Sequence, residues 1–409
     1  MRSHSRHPTG QESRSVEGRA VSRVTAMADT LREPAHHGVP AALPAAQRSL
    51  APDLARGFML LVIATVHAYY FSFAMSGSGP LDVATTVGMA LFGENRGYPM
   101  FAALFGYGLT QIYLRRVDEG REWPWVRSLL RRRGLWLVVI GVAHGVLFYS
   151  GDVIAVYGLI ALLFTALLRF TDRRLLVHAF CWMAFGSLLY ALPSAGLFGY
   201  AEGAGAGEVT WVTDLVGRIV AMPMSLPLVV AISVFPCLVG VWAARRRLLE
   251  EPERNRRLLR YVAAIGIGVG VLGGVPHALV SLMVWEPSPI LAVGVSWLHV
   301  LTGYAGGFGC AAVIALVASR IGERRGPIVT ALAATGQRSM TSYVLQSVAW
   351  TVLIPPYAFG VGDLLTVSQG LGLGVAVWLL TVVLADLQRR AGFRQGPLEW
   401  LLRRLTYRC

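Results

Sequence analysis

Two basic residues near the start of the first apolar segment have a spacing that could support chemistry. Arg56 and His67 are 11 positions apart, which in an α-helix corresponds to about 1,100° of rotation and about 16 Å of rise. They therefore share one helix face, with the guanidinium at the mouth of the segment and the imidazole near its middle. The guanidinium could hold a phosphate-bearing donor, and a neutral imidazole could act as general base. Alternatively, Arg56 is an ordinary surface anchor and His67 hydrogen-bonds a neighbouring helix.

Other ionisable residues fall at comparable depths in their own apolar segments. His144 and His299 lie near the middle, as His67 does, so three imidazoles occupy one layer. Ionisable groups at this depth are expensive, which makes each a functional candidate. The sequence leaves two possibilities open: the three share a pocket, or each makes a separate interhelical hydrogen bond. Asp152 follows a tight turn and either caps the next helix or orients a histidine.

A polar stripe marks the ninth apolar segment. Its members follow helical spacing and predict a face turned toward the bundle interior: Ser339, Ser342, Tyr343, Gln346 and Trp350. Arg338 precedes the stripe and either snorkels to lipid phosphate or lines a donor site. Arg96 is the one clear arginine in the otherwise acidic connections, so we include it among the residues that line a substrate cavity.

Signatures of soluble enzymes and of metal sites are missing from the sequence. There is no Walker A, GxSxG or HExxH pattern, and the four cysteines, Cys181, Cys237, Cys310 and Cys409, have no metal-like spacing. We therefore expect buried cysteines and no metal.

The elements that carry these residues are long apolar runs. The chain has 409 residues, of which 55% are hydrophobic and only 15% charged, against about a quarter charged in soluble domains. Runs of about 18 residues can cross a bilayer as helices. The sequence predicts an all-α transmembrane bundle of about ten spans, at 57–75, 98–114, 134–150, 153–170, 174–193, 218–243, 260–284, 290–318, 336–354 and 364–387.

Arginine distribution predicts the orientation. All 37 basic residues are arginine, and they concentrate in alternate connections, at 115–133, 169–174, 244–259, 319–327 and after 387. Positive residues flank the cytoplasmic ends of spans, so we expect a multi-pass inner-membrane protein with both termini in the cytoplasm and with lipid as its surroundings. The same clustering argues against nucleic-acid binding, despite a net charge of +14.

Three regions follow from this pattern. Residues 1–50 are polar and predict a disordered cytoplasmic tail, residues 51–392 form the membrane domain, and residues 393–409 are amphipathic and predict a cytoplasmic segment on the membrane surface. The apolar stretch 83–92 is too short to span and predicts a re-entrant or interfacial helix.

Several segments resemble a known family: RGFMLLVIATVH, MFAALFGYGLTQIYLRR, SGDVIAVYGLIALLF, TSYVLQS and, most specifically, FRQGPLEWLLRRLTY. Together they resemble the YeiB-like family of bacterial inner-membrane proteins, domain of unknown function number 418, from Arg56 to Tyr407. That family is grouped distantly with membrane acyltransferases of the acyltransferase-3 and heparan-glucosaminide acetyltransferase types. In the acyltransferase-3 group an Arg and a His separated by ten residues in the first span are important for function, a pattern that Arg56 and His67 reproduce. The YeiB-like family more often has Asn where His67 stands.

The resemblance implies acyl transfer from a cytosolic donor such as acyl-CoA to an envelope glycan, a lipid-linked sugar or an exported small molecule. Under this hypothesis Arg56 and Arg338 hold the donor, and His67, with His144 and Asp152, does the proton chemistry. Arg96, His299, Tyr343 and Gln346 would line the cavity. Two alternatives remain: a small-solute transporter with a histidine proton relay, and a non-catalytic membrane scaffold.

Overall fold

The structure is a computed structural model that describes residues 49–72, 79–194, 209–322 and 324–407. The predicted cytoplasmic tail, except for its last two residues, and Cys409 lie outside the described residues. Within the described ranges every regular element is a helix, which confirms the predicted all-α class. The helices are α1 Leu50–Ser72, α2 Pro80–Gly88, α3 Gly97–Asp118, α4 Trp123–Leu147, α5 Val153–Leu163, α6 Asp172–Ser194, α7 Trp211–Arg245, α8 Arg256–Ser281, α9 Pro289–Ile321, α10 Pro327–Gln337, α11 Ser339–Leu353, α12 Val367–Arg390 and α13 Pro397–Tyr407.

In the part of the chain that the structure describes, 6 helices are long and apolar enough to cross a membrane: α1, α6, α7, α8, α9 and α12. Large apolar side chains stay exposed on them; Leu272 of α8 is 73% exposed and Leu380 of α12 is 55% exposed. Surfaces of this kind on soluble proteins are rare, so the chain is a membrane protein. The other predicted spans are also helical, but α3 and α4 carry arginines and α5 is short. The total of ten remains a prediction.

One predicted span differs from the observed helices, and one short apolar stretch is divided into two kinds of helix. The predicted span 336–354 is the second half of a broken helix, because α10 ends at Gln337 and α11 begins at Ser339. The polar residues around Arg338 interrupt the apolar pattern, so α10 lay outside the predicted spans. The stretch 83–92 forms α2 followed by a π-helical turn at Met89–Gly93.

The arginine-rich connections lie together at one end of the bundle, which we call the arginine-rich end. Arg245 at the end of α7 binds Asp172 at the start of α6 at 2.7 Å, and the hydroxyl of Ser49 donates to the carbonyl of Leu249. At the opposite end, Arg218 of α7 donates to the carbonyl of Val146 of α4. Helix α7 therefore runs antiparallel to both α4 and α6.

Close helix crossings depend on glycine. A Cβ added to Gly336 of α10 would collide with the carbonyl of Asp53 of α1, and one added to Gly57 of α1 would collide with the carbonyl of Leu332. Small residues allow backbones in a membrane to approach in this way. The crossing fixes the first turns of α1, and with them Arg56, against α10.

Candidate functional site

Three helices bring two of the predicted histidines together. The His67 ring of α1 lies 4.4 Å from the ring of Tyr149 and 6.3 Å from that of Tyr343 on α11, measured between centroids. The His144 ring of α4 lies 5.1 Å from the Tyr343 ring. Both imidazoles thus contact one aromatic side chain. We call His67, His144, Asp152 and Tyr343 the histidine-pair site.

Asp152 caps a helix, as one of the two interpretations of the sequence has it, and it also lies against a histidine. Its Oδ2 accepts the backbone N–H of Ala155 at 2.5 Å and so caps α5. Its Oδ1 lies 2.8 Å from Nδ1 of His144, and both side chains are buried. Neither of these two atoms makes a hydrogen bond among the described residues, so the carboxylate acts on the ring through its charge. Gly141 of α4 makes room for this carboxylate, because a Cβ there would collide with it.

The polar stripe of α11 faces the interior. Ser342, Tyr343, Gln346 and Trp350 are at most 3% exposed. The side-chain amide of Gln346 donates to the carbonyl of Leu60 on α1 at 3.2 Å. In the described structure Oε1 of Gln346 and Nε2 of His144 are buried without hydrogen-bond partners. Buried polar atoms are normally paired, so these two are available to a bound molecule.

The third predicted histidine lies in a different cluster. The His299 ring of α9 stacks on the His277 ring of α8, with centroids 4.1 Å apart and planes 15° apart. Glu94 Oε2 lies 3.0 Å from Nε2 of His277 and 3.9 Å from Nε2 of His299. Arg96 completes this group, which we call the Glu94 cluster. The predicted histidine layer thus divides: His299 contacts His277, whereas His67 and His144 flank Tyr343. Depth along a helix does not determine which way a residue faces.

Arg96 is buried in the Glu94 cluster. It is 2% exposed, and its guanidinium donates to the carbonyls of Glu94 and Gly270, each at 2.5 Å. Its Nη1 also lies 3.2 Å from Nε2 of His299. Gly274 and Gly306 leave the space for this side chain between α8 and α9. The arginine is thus the resident cation of the cluster.

The Glu94 cluster has a donor set that could suit a metal ion. One donor atom from each of Glu94, His277 and His299 lies within 4.8 Å of the others. A metal lies in the plane of each imidazole that binds it, along the nitrogen lone pair. The rings of His277 and His299 are stacked and nearly parallel, so no point at the ordinary metal–nitrogen distance of about 2 Å lies in both ring planes. The cationic Arg96 also contacts the His299 ring. The arrangement therefore fits a proton-binding group better than a metal.

At the arginine-rich end, Arg56 is tied to its own helix and to α10. Its Nη1 lies 3.3 Å from Oδ1 of Asp53, while the amide of Gln337 donates to Oδ2 of the same carboxylate at 2.9 Å. A Cβ on Gly108 of α3 would lie 3.7 Å from Nη2 of Arg56, so that the guanidinium stands at the junction of α1, α3 and α10.

Arg338 does not snorkel to the surface, which corrects that alternative. The side chain is 2% exposed and donates to the carbonyls of Ala334, at 3.1 Å, and Phe393, at 2.5 Å. It therefore joins the break between α10 and α11 to the segment before α13. A helix break leaves unpaired carbonyls, and the guanidinium satisfies one of them.

Glu399 is a structural residue that the sequence argument missed. Its Oε1 accepts the backbone N–H groups of Met340 at 2.7 Å and Thr341 at 3.1 Å, and the Thr341 hydroxyl donates to Oε2 at 2.6 Å. The carboxylate of α13 thus caps the N-terminus of α11 from outside, where a negative charge is favourable. The signal in the sequence is one acidic residue in the basic motif GPLEWLLRRL.

Comparison with known proteins supports the family resemblance. Residues 243–409 match a family model described as protein of unknown function (DUF418). The chain is 24% identical over 400 residues to uncharacterized protein YxaH of Bacillus subtilis (strain 168), covering 87% of this chain and 93% of the relative. It is 25% identical over 390 residues to uncharacterized protein YeiB of Escherichia coli (strain K12), covering 89% and 97%. These matches confirm the resemblance to the YeiB-like family, and the link to acyltransferases stays a prediction.

Proposed function

We propose that this membrane protein transfers an acyl group from a donor at the arginine-rich end to an acceptor that reaches the histidine-pair site from the opposite end. The observation that carries the proposal is the juxtaposition of His67 and His144 beside Tyr343, with Asp152 against His144. Arg56 stands on the same helix as His67, about 16 Å away along its axis. A donor held by its phosphates near Arg56 can extend its acyl group toward the imidazoles.

The chemistry needs one proton acceptor and a polar surrounding. The acceptor hydroxyl or amine attacks the carbonyl carbon of the acyl thioester, a C–O or C–N bond forms, and the C–S bond breaks. His67 takes the acceptor's proton, and the thiolate leaving group takes up a proton in turn. The buried carboxylate of Asp152, acting through His144, favours positive charge in the site while His67 is an imidazolium. Tyr343 and Gln346 present polar atoms to the reacting molecules.

The proposal includes an orientation. The arginine-rich end faces the cytoplasm of a bacterial inner membrane, with both termini inside, since positive connections are retained there. The donor is then a cytosolic acyl-CoA, and the acceptor is an envelope glycan, a lipid-linked sugar or an exported small molecule.

Acyl profiling of the cell envelope tests the catalytic assignment. A deletion strain is complemented with the wild type, with His67→Ala, or with His178→Ala. His178 is a matched control because its ring is exposed and contacts its own helix turn and Phe170. We expect an acyl modification of glycan or lipid that disappears in the deletion and with His67→Ala but returns with His178→Ala. A modification that persists with His67→Ala at equal expression removes His67 from the chemistry.

A second candidate function rests on the Glu94 cluster. Buried Glu94 and His299 beside the partly exposed His277 resemble proton-carrying groups of transporters. The chain in this case exchanges a small solute for protons. Solute flux in proteoliposomes that follows a proton gradient and needs no acyl donor favours this function. If neither acyl transfer nor flux depends on the protein, a scaffold role remains.

A further inference from the structure

Arginines from three helices meet beside the C-terminal helix. The charge of Arg133 of α4 interacts with those of Arg56 of α1 and Arg403 of α13, and also with Glu399 and Tyr407. The Nε of Arg133 is shielded from solvent and has no hydrogen-bond partner among the described residues. A guanidinium nitrogen is a strong donor, so this unsatisfied position marks a place where an acceptor would be stabilised.

Helix α13 is fixed in this position by contacts along its length. Glu399 caps α11, and the Phe393 carbonyl before α13 binds Arg338. The Tyr407 ring lies 5.9 Å from the guanidinium carbon of Arg403 and 5.6 Å from that of Arg116 on α3. Arg403 is therefore held toward α4 and does not extend freely along a membrane surface.

The guanidinium of Arg133 interacts with charges of both signs. Its interactions with Arg56 and Arg403 are repulsive, and its interaction with the carboxylate of Glu399 is attractive. That carboxylate already accepts hydrogen bonds at the start of α11. Like charges repel, by about 1 kcal/mol at roughly 4 Å in water and by more near a protein surface. A bound anion beside Arg133 would reduce this repulsion.

We propose that Arg133 and Arg403, together with Arg56, bind the phosphate groups of a ligand at the arginine-rich end, and that α13 forms one wall of the site. Guanidinium forks match phosphate oxygens in geometry and charge. The inference rests on the proposed function only in identifying the ligand as the donor, whose phosphates would lie here. Two sources offer the same chemistry: a soluble nucleotide with two phosphates, and anionic phospholipid headgroups.

Binding measurements on the purified full-length protein in detergent test the site. Adenosine 3′,5′-bisphosphate and inorganic pyrophosphate are titrated by calorimetry into the wild type, Arg133→Gln and Arg403→Gln. Arg127→Gln is the matched control, because Arg127 lies on the same helix as Arg133 but is exposed. Since a charged hydrogen bond contributes roughly 1.5–3 kcal/mol, we expect each of the first two variants to lose about tenfold or more in affinity. The control should bind as the wild type does.

The lipid arm uses nanodiscs of phosphatidylcholine with and without phosphatidylglycerol, and native mass spectrometry counts retained phosphatidylglycerol. Retention that falls in Arg133→Gln and Arg403→Gln but not in Arg127→Gln identifies a headgroup, whereas nucleotide binding that falls in the same variants identifies a soluble ligand. Either result supports the site. Arg133→Lys keeps the charge and the fold, and it should bind more weakly than the wild type but more tightly than Arg133→Gln.

Unchanged affinity for every probe in both glutamine variants overturns the site, as does a wild type that binds neither phosphate probe and retains no phosphatidylglycerol. The variant His67→Ala distinguishes a failure of the phosphate site from a failure of the proposed acyl transfer. It should bind adenosine 3′,5′-bisphosphate like the wild type even where acyl transfer is lost. Arginine-dependent binding without any acyl transfer supports the site and contradicts the proposed function.

Discussion

The side chain of Asp152 makes two contacts that a single substitution can separate. Asn retains an oxygen that can accept the N–H of Ala155 but has no charge to place beside His144. We expect Asp152→Asn to unfold within a few degrees of the wild type while acyl transfer falls by about 10²–10⁴, the usual contribution of general acid–base groups. Asp152→Ala should also lose about 1 kcal/mol from the missing cap. Thermal unfolding in detergent and transfer rates check both, and equal activity of Asp152→Asn and the wild type contradicts the electrostatic role.

Glu250 makes the stability of the protein pH-dependent. It lies in the turn between α7 and α8, where the hydroxyl of Tyr107 and the amide of Gln111 donate to its carboxylate. Burial, with a smaller effect of the Glu251 charge, raises the pKa of Glu250 from 4.5 to about 7. Between these values the folded chain binds the proton that the unfolded chain has released, so the stability present below pH 4.5 declines as pH rises through about 7.

Thermal unfolding at different pH values tests this role of Glu250. The Tm of the wild type should fall between pH 5 and pH 8, and Glu250→Gln should flatten this dependence because the amide stays neutral and still accepts from Tyr107. Glu253→Gln is the control, since the side chain of Glu253 is 63% exposed. Identical pH profiles for the wild type and Glu250→Gln would count against a protonated Glu250.

At the scale of the helices, backbone contact between α1 and α10 predicts an asymmetry between glycines. A methyl group on Gly336 would collide with the carbonyl of Asp53, while one on Gly372 of α12 meets nothing within 4 Å. Gly336→Ala should destabilise the protein by about 1–3 kcal/mol, as overpacking does. Gly372→Ala should be neutral or stabilising by up to about 1 kcal/mol. Thermal unfolding measures both, and equal effects contradict the close crossing.

Sequence patterns predict helices better than they predict helix breaks. Apolar length and arginine clustering locate α1, α6, α7, α8, α9 and α12, because burial in lipid requires both features. The interruption at Arg338 is determined by tertiary contacts instead, namely the Phe393 carbonyl and the carboxylate of Glu399, which lie more than 50 positions away in the chain. No local pattern around residue 338 specifies those partners.

For the whole molecule, the depth of a residue could be predicted but its neighbours could not. The rise per residue places His67, His144 and His299 at similar levels. Which rings meet depends on helix rotation and packing, and these are set by glycine contacts such as that of Gly141 with the start of α5. The contact between His277 and His299 could therefore not be predicted from the sequence. The alignment of Arg56 with His67 could be, because both residues lie on one helix.

The orientation of the molecule is the last prediction, and both proposals about the donor depend on it. In a background where the native cysteines are replaced, Arg121→Cys reports on the connection between α3 and α4, and Ser288→Cys reports on the connection between α8 and α9; both positions are exposed. A membrane-impermeant maleimide on intact spheroplasts should label Ser288→Cys only, and both after lysis. Labelling of Arg121→Cys in intact spheroplasts would show that the arginine-rich end, with Arg56, Arg133 and Arg403, faces the outside of the cell. A phosphorylated ligand from the cytosol could then not reach them, because the free energy of moving its charges through lipid is prohibitive.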